Sequence, residues 1–453
     1  MYKNLIVCIS AIFFFAGCAA HNVTNNDFDK RLIAFVCDEE FFAKTQEKVK
    51  NGDDVIYQGL NVGLIARNCS QFKTSNALFD GAEEAYKYDV DLEGVGSKAG
   101  KAVVSTLIND TIMDYQGNLY ERIMVNAYKG LNYMSLGDYE EARIEFNRAL
   151  MRQDKAKEYF AKAIAKNRED YDKLQKQEQS EDSKKAMNDG VQSGEQYATE
   201  FLKEFQTTKN FINPYATYLS SVFFFMDGDY RRAADLFREV VAVTPKSQEL
   251  RKERKVFDRL ASRVKQGKKK YIFLIHEDGL GTIKEQFKFT IPFPVDGKII
   301  TANATFPKLV KRKEAYPNLL LNDVKTVQVS NFDNIVATEY KIEMPSMILK
   351  SVTQAIVKTG INIAVAQNDA TGGFLSLGTA IFNTITTQSD ERSWRGLPKT
   401  AWVVMEENKG QAKVTTTDGM VLLDKEVDKN KNVVVFIRTF KQGLPPSSFI
   451  LSR

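Results

Sequence analysis

The stretch GLNYMSLGDYEEARIEFNRA, residues 130–149, decides the fold of the first half of the chain. It begins on one helix, turns at a glycine (Gly137), and continues on a second helix. Ala142, Phe146 and Ala149 are spaced four and three residues apart, so they lie on one face of that second helix. The two alanines admit a neighbouring helix and the phenylalanine fills the gap. The stretch therefore predicts a closely packed helical hairpin.

A second copy of this pattern, SVFFFMDGDYRRAADLFREV, covers residues 221–240 at the same offsets. Two copies in register resemble the tetratricopeptide (TPR) repeat, a helix–turn–helix unit of about 34 residues. The resemblance implies a solenoid of stacked hairpins that binds other proteins on its concave surface. A fainter copy runs through Gly63, Ala66, Phe72, Ser75, Phe79 and Ala82. The residues that carry the repeat signature are Gly130, Tyr133, Gly137, Tyr139, Ala142, Phe146, Ala149, Gly228, Tyr230, Ala233, Phe237 and Pro245.

More helices are expected between and after the two copies. Gly137 and Gly228 lie 91 residues apart, far more than one repeat. Residues 153–176 are charged and helix-prone and should prolong the second helix of the first copy. Residues 177–193, with a glycine inside the segment, are predicted to be a polar loop. Helix is expected again over 195–209 and over 251–265.

The amino-terminal residues have the layout of a secretory signal. One positive charge precedes the apolar segment Leu5–Phe15, which at eleven residues is too short to span a bilayer. Phe15-Ala16-Gly17-Cys18 resembles the lipobox of bacterial lipoproteins, although that family usually has Leu, Val or Ile where Phe15 stands. The resemblance implies cleavage after residue 17 and acylation of Cys18, with a short tether following. An ordinary signal peptide with an incidental cysteine is the alternative.

Cys37 and Cys69 would then lie in an oxidising compartment, about one helical hairpin apart. A disulfide between them would close a span of 32 residues and stabilise the fold by about 3–4 kcal/mol. Two buried free thiols are the alternative.

After Lys270 the hydrophobic period changes from that of a helix to that of a strand. Phe287, Phe289, Ile291 and Phe293 alternate with polar residues, as in a strand with one buried face. Asp296-Gly297 and Asp418-Gly419 fit tight turns. The lysines before this point, residues 268–270, are expected to be a solvated helix end or a contact with anionic lipid head groups. The other strand candidates are Tyr271–Ile275, Lys298–Thr305, Val324–Val329, Ile335–Ile342, Trp402–Glu406, Ala412–Thr416 and Val433–Phe440.

A helical insertion interrupts these strands at about residues 345–387. Two apolar stripes at helical spacing, one from Ile348 to Ile363 and one from Phe374 to Ile385, are separated by polar residues, so neither spans a membrane. They predict a helical hairpin packed on the sheet, with membrane contact as the alternative. The fold class is therefore α+β: a helical TPR-like solenoid over residues 28–266, then a β-rich, sandwich-like or barrel-like domain over 267–453 with this inserted hairpin. Residues 1–17 are the signal peptide and 18–27 the tether.

The composition argues against several functions. The 63 basic and 58 acidic residues nearly cancel to a net charge of +5, which disfavours nucleic-acid binding. Only two histidines and four cysteines occur, so no catalytic triad, metal site or cofactor is predicted. Glu277 and Asp278, beside His276, form the one candidate acid–base pair. The other interpretation is that they are the end of a strand that enters a turn at Gly279.

A wider resemblance rests on five short motifs: Asn213-Pro214-Tyr215, Glu277-Asp278-Gly279, Phe306-Pro307-Lys308-Leu309, Arg392-Ser393-Trp394 and Leu397-Pro398. Together with the lipobox and repeats they resemble a family of TPR-bearing outer-membrane lipoproteins of bacteria that has no assigned activity. The resemblance implies a non-catalytic scaffold that assembles other envelope proteins, anchored by its lipid and facing the periplasm. Ala19, after the acylated cysteine, favours the outer membrane if the organism has two membranes; with a single membrane, the outer face of the cytoplasmic membrane is the expected location. A carboxylate enzyme acting on cell-wall or lipid material, and a carrier of lipid or another small ligand, are the alternatives.

Overall fold

The computed structural model of the chain describes residues 23–86, 114–177, 181–208, 213–244, 247–262, 269–295, 298–368 and 389–453. Over these residues the fold is α+β, as the sequence predicts. Cys18, Pro245 and the second apolar stripe of the insertion lie outside them. The helices are α1 (23–33), α2 (Glu39–Asn51), α3 (Val55–Asn68), α4 (Phe72–Tyr86), α5 (Leu119–Leu136), α6 (Tyr139–Gln177), α7 (Glu181–Leu202), α8 (Pro214–Met226), α9 (Tyr230–Val243), α10 (Gln248–Ala261) and α11 (Phe332–Asn368).

Short polar residues set the helix boundaries. Asp38 caps α2 by accepting the backbone N–H groups of Glu40 and Phe41, and Asp229 caps α9 by accepting that of Arg232. Gly137 ends α5 with φ +79°, the left-handed conformation that glycine adopts without strain. These caps produce the short turns that let successive helices pack side by side.

The helical hairpins α3–α4, α5–α6 and α8–α9 stack in chain order between α2 and α10. A disulfide joins Cys37, between α1 and α2, to Cys69, which caps α3. The pairing that the sequence left open is thus present in the structure, with a Cα–Cα distance of 5.7 Å.

The loop predicted over residues 177–193 is wrong, because α7 begins at Glu181 and runs through both of its glycines. A Cβ on Gly190 would lie 2.9 Å from side-chain carbons of Ile291 and Val352, and one on Gly194 would lie 2.6 Å from Ile348. The glycines are four residues apart on one face of the helix, so they permit close helix packing. The expected helix 195–209 is the end of α7 and stops at Leu202.

The strands are β1 (Tyr271–Asp278), β2 (Ile283–Val295), β3 (Lys298–Val310), β4 (Leu319–Leu321), β5 (Val324–Lys325), β6 (Val327–Asn331), β7 (Thr400–Glu407), β8 (Gln411–Thr416), β9 (Val421–Glu426), β10 (Val433–Thr439) and β11 (Ser447–Ser452). They form a five-stranded sheet in the order β11-β10-β1-β7-β6, a four-stranded sheet β5-β4-β8-β9, and the ribbon β2-β3. In the described residues none of these sheets closes on itself, so the barrel form of the prediction is not observed. The expected turn at Asp418-Gly419 joins β8 to β9, with Gly419 at φ +91°.

The five-stranded sheet is the middle of three layers. Its central strand β1 is parallel to β10 and antiparallel to β7. Phe273 and Ile275 of β1 pack against the helices, whereas Ile272 and Leu274 face the four-stranded sheet. The predicted domain boundary falls in residues 263–268, between α10 and β1, and the two sides of it share the core formed by helices and sheet.

The ribbon β2-β3 packs one face on α7 and α11, where Phe287 contacts Tyr197 and Phe201 at ring-centroid distances of 5.2 and 4.8 Å. Its edges are partly capped: the N–H of Gln286 donates to Glu391, and that of Thr305 to Ser351. Pro292 lies an even number of residues from Gln286, and Pro307 an even number from Thr305. Because backbone groups alternate in direction along a strand, the backbone nitrogens of both prolines also face the edges of the ribbon. A proline there removes no N–H from the ladder and discourages pairing with another strand.

The strand predicted over Ile335–Ile342 is wrong, since these residues lie in α11. Its β-branched residues suit a strand locally, but Asp333 in the first turn accepts the N–H and hydroxyl of Thr282 and anchors the helix. The insertion thus begins at Phe332, earlier than expected, and its helix contains Pro345. Among the described helices, none combines the length and apolarity that crossing a bilayer requires.

Candidate functional site

The repeat signature residues bring paired helices into close contact. A Cβ on Gly130 would lie 2.7 Å from the ring of Phe146, so glycine permits the approach of α5 to α6. Gly63 and Phe79 repeat this arrangement between α3 and α4 at 2.6 Å. In the third hairpin Ser221 stands in the glycine position and donates to the carbonyl of Ala233 at 2.9 Å. The first two copies therefore share one packing geometry, and in the third a hydrogen bond between the two helices replaces the contact between glycine and ring.

The other signature residues lie at the turns or in the helix contacts. Gly137 and Gly228 have φ of +79° and +83°, and Tyr139 and Tyr230 begin the second helices. Tyr133 is half-buried. The small and aromatic residues of the second helices are buried, namely Ala142, Phe146, Ala149, Ala233 and Phe237.

The first helices of the hairpins, α3, α5 and α8, face the five-stranded sheet. Tyr128 of α5 and Tyr215 of α8 donate their hydroxyls to one oxygen of Glu277 on β1, at 2.8 and 2.7 Å. All three side chains are buried. We call the surface formed by these first helices the inner surface; it corresponds to the concave surface on which a TPR solenoid would bind its partners. In this structure it is covered by the chain's own sheet.

Two buried arginines surround this carboxylate. Arg438 Nε lies 3.6 Å from Glu277, and its guanidinium also donates to the carbonyl of Gly396 at 3.1 Å. Arg67 stacks on the rings of Phe436 and Phe449, at 4.9 and 4.8 Å, and donates to Asn132. Burial lowers the pKa of both arginines, partly offset by Glu277. Removing Glu277 would leave the buried charge of Arg438 without its carboxylate partner, so Glu277 helps to hold the helices against the sheet.

His276 and Asp278 point to the opposite face of β1. Asp278 accepts the N–H of Tyr316 and the hydroxyl of Thr439, each at 2.7 Å. His276 Nε2 lies 2.9 Å from the same hydroxyl. Burial, with Arg438 adding to it, lowers the pKa of His276 to about 3, so the ring is neutral.

Glu277 and Asp278, the candidate acid–base pair, therefore lie on opposite faces of β1, because consecutive residues of a strand face opposite sides. Glu277 is 1% and Asp278 0% exposed, so both carboxyl groups are buried among the described residues. The chain turns immediately afterwards at Gly279, with φ +64°. This arrangement favours the interpretation as a strand end over the catalytic one.

The motif Arg392-Ser393-Trp394 lies between the inner helices. The ring of Trp394 lies 5.6 Å from that of Phe79 and 5.7 Å from that of Tyr128, and the backbone N–H of Trp394 donates to Glu121 at 2.9 Å. Arg392 bridges Asp54 and Asp390, each at 2.9 Å. The motif thus helps to cover the inner surface.

A buried ion network that the sequence analysis did not single out joins α4, α5 and α6. Lys129 is 2% exposed and contacts Asp80, Glu83 and Glu145 at 2.6–3.0 Å. Burial would raise the pKa of Glu83, but Lys129 and then Arg152 outweigh it and lower the pKa to about 2. The signal in the sequence is a lysine among apolar residues at the centre of α5.

Two other buried carboxyl groups have a raised pKa, in contrast to Glu83. Glu253 of α10 accepts the N–H of Met405 at 2.9 Å, and burial raises its pKa to about 8. Glu339 of α11 accepts the first two N–H groups of α5, and burial, followed by Glu343, raises its pKa to about 8. In both, burial favours the protonated form.

A surface cavity of about 210 Å³ lies between α6, α8 and α9, beside Lys157, Thr217 and Val240. It is smaller than the pockets that hold drug-sized ligands. Its polar wall is engaged, because Gln153 bonds the hydroxyl of Thr217 at 3.0 Å and the N–H of Asn213 at 3.1 Å. Within the described residues no group of carboxylates, histidines and cysteines is arranged to hold a metal ion. Comparison of the chain with protein-family models, curated proteins and solved structures gives no significant match.

Proposed function

We propose that this chain is a lipid-anchored, non-catalytic scaffold of the bacterial cell envelope that binds other proteins on its outward-facing surfaces. The observation that carries the proposal is the covered inner surface of the helical stack. Because Tyr128 and Tyr215 already bind Glu277 of the sheet, a partner reaches the outer helices and sheet surfaces instead.

The three hairpins are TPR-like in this proposal. Two observations support this. The first two hairpins share the contact between a glycine and a phenylalanine ring, with a serine in the glycine position of the third, and the turns of the hairpins contain residues with positive φ. In an open solenoid the first helices would offer a partner-binding groove. Here the same helices serve as a frame for the sheet.

Acylation at Cys18 and a periplasm-facing position on the outer membrane complete the proposal. The Cys37–Cys69 disulfide supports an oxidising compartment. Since α1 is already helical at residue 23, the tether is short and the body stays close to the lipid. The internal use of Glu277 and Asp278 supports a scaffold over the carboxylate enzyme.

The outer face of α6 is the first surface to test for partners. Ile144 and Met151 lie seven residues apart on it and are 42% and 50% exposed. A photo-crosslinking amino acid at position 151 in living cells should give reproducible adducts with another envelope protein. Met420, 42% exposed on the turn of the four-stranded sheet, tests the sheet surface at a similar exposure. Absence of a protein adduct from both positions would count against a scaffold.

A separate measurement tests the anchor. A Cys18→Ser variant should leave the membrane fraction, and the wild type should show acyl mass on its amino-terminal residue by mass spectrometry. An unmodified wild-type Cys18 would refute the anchor and leave the partner test unaffected.

A further inference from the structure

The surface cavity between α6, α8 and α9 has walls of opposite charge. Its volume is about 210 Å³, which at about 30 Å³ for each water-sized group is space for about seven such groups. α6 contributes Gln153 and Lys157, four residues apart on one face of the helix. α9 contributes Glu239, Ala242 and Val243 from its carboxyl end. Among the described residues that line the cavity, one is therefore basic and one acidic, and they come from different helices.

The wall formed by α6 suits a carboxylate. Gln153 is 4% exposed. Its side-chain oxygen accepts the N–H of Asn213 at 3.1 Å, and one N–H of its amide group donates to Thr217 at 3.0 Å. The second N–H of this amide group has no acceptor among the described residues. Lys157 lies one helical turn further along, and its pair with Asp154 is exposed, so it is weak enough to exchange for a bound carboxylate.

The ends of two helices give the cavity the same polarity as the side chains. Pro214, the first residue of α8, lines the cavity beside Gln153, so the positive end of that helix dipole is on the α6 side. Ala242 and Val243 belong to the last turn of α9, whose carbonyl groups carry partial negative charge. This end of the helix is the one that also carries Glu239. The cavity thus has a positive side and a negative side.

We propose that the cavity binds a free α-amino acid with a small aliphatic side chain. The carboxylate accepts hydrogen bonds from Gln153 and Lys157, and the ammonium group donates to Glu239. The aliphatic part packs on Val240 and Val243, which also line the cavity. Among the described residues Lys157 and Glu239 form no ion pair with each other, because Lys157 pairs with Asp154 instead. A site of this kind needs neither the anchor nor a protein partner, so the inference goes beyond the proposed function.

Leucine is the probe for the first test. Its binding to the full chain is measured by saturation-transfer difference NMR, with Cys18→Ser present so that no acyl chain contributes to the signal. We expect a Kd on the order of 1 mM for so small a ligand. Two analogues separate the charges, since 4-methylpentanoate lacks the ammonium group and 3-methylbutylamine lacks the carboxylate. Each should bind about fivefold more weakly than leucine, as expected for the loss of one ion pair at a partly exposed site.

Substitutions assign each charge to its wall. Glu239→Gln should weaken the binding of leucine about fivefold and leave that of 4-methylpentanoate unchanged. Lys157→Gln should weaken the binding of both carboxylates and leave that of 3-methylbutylamine unchanged. The matched controls are Glu195→Gln on α7 and Lys155→Gln on α6, which are exposed and do not line the cavity. Thermal unfolding checks that all four variants fold.

Three results would overturn the inference. The first is no leucine signal at concentrations up to about ten times the expected Kd. The second is equal affinity for leucine and its two analogues, which would mean that apolar contact alone holds the ligand. The third is an equal loss of leucine binding in the cavity variants and in their controls. None of these results bears on acylation of Cys18 or on the binding of protein partners, which are tested separately.

Discussion

Glu253 makes the stability of the fold depend on pH in a way that one substitution isolates. Its side chain is 5% exposed; one oxygen accepts the N–H of Met405 at 2.9 Å, and the other has no partner among the described residues. Burial therefore raises the pKa of this carboxyl group to about 8 from its ordinary 4.5. Near neutrality the folded chain holds a proton that the unfolded chain releases.

The sign follows from this difference. A group with a raised folded pKa contributes stability that is fully present below the unfolded pKa and is lost as pH rises through the folded pKa. For Glu253 that window runs from 4.5 to about 8. The free energy of unfolding should fall by about 1.4 kcal/mol per pH unit across it, a few kcal/mol in total.

Glu253→Gln keeps the acceptor oxygen and does not titrate. The free energy of unfolding is measured by urea unfolding, followed by circular dichroism, at pH 5, 6, 7, 8 and 9. At the lowest pH the variant and wild type should have similar values, and as the pH rises the variant should become increasingly more stable than wild type. Glu339 has the same sign, but it is present in both proteins and cancels in the difference. Glu239→Gln, on the exposed face of α9, is the control and should run parallel to wild type. Parallel curves for Glu253→Gln and wild type would refute the reasoning.

Three further predictions concern stability. Lys129→Met should destabilise the fold by about 3–5 kcal/mol in urea, because it removes the lysine partner of the two buried carboxylates, Glu83 and Glu145, whereas Lys157→Met, in an exposed pair with Asp154, should cost less than about 1 kcal/mol. Gly130→Ala places a methyl group 2.7 Å from a ring of α6 and should cost about 1–3 kcal/mol; an unchanged midpoint would contradict the close packing. Cys37→Ala should lower stability by about 3–4 kcal/mol, and thiol counting on the wild type should find Cys37 and Cys69 both blocked until reductant is added.

The sequence predicted the hairpins well because their determinants are local. Gly130 and Phe146 meet across one turn, and Gly137 ends α5 by its own backbone preference. The strands β1 and β10 were also confirmed, since their apolar runs are bounded by turn residues. In both cases the residues that form an element or contact are close together in the chain.

The errors came where distant residues decide the structure. From the local sequence, Gly190 and Gly194 indicate a loop. In the structure they lie in a helix, because Ile291 and Ile348 pack closely against them. The carboxylates around Lys129 come from α4 and α6, up to 49 residues away. Such pairings depend on which helices become neighbours, which the local pattern does not specify.

One feature of the sequence does indicate that the inner surface is covered, and it lies in α8. Its thirteen residues, PYATYLSSVFFFM, contain no charged side chain. A helix that is apolar on every side must be covered on every side, whereas the first helix of an open solenoid keeps one side in solvent. Every residue from Tyr215 to Met226 is buried, because α6 and α9 cover two sides and the sheet covers the third. A partner that needed this surface would have to expel the sheet and strip Glu277 of its two hydroxyl donors, so partners are expected on the outer surfaces instead.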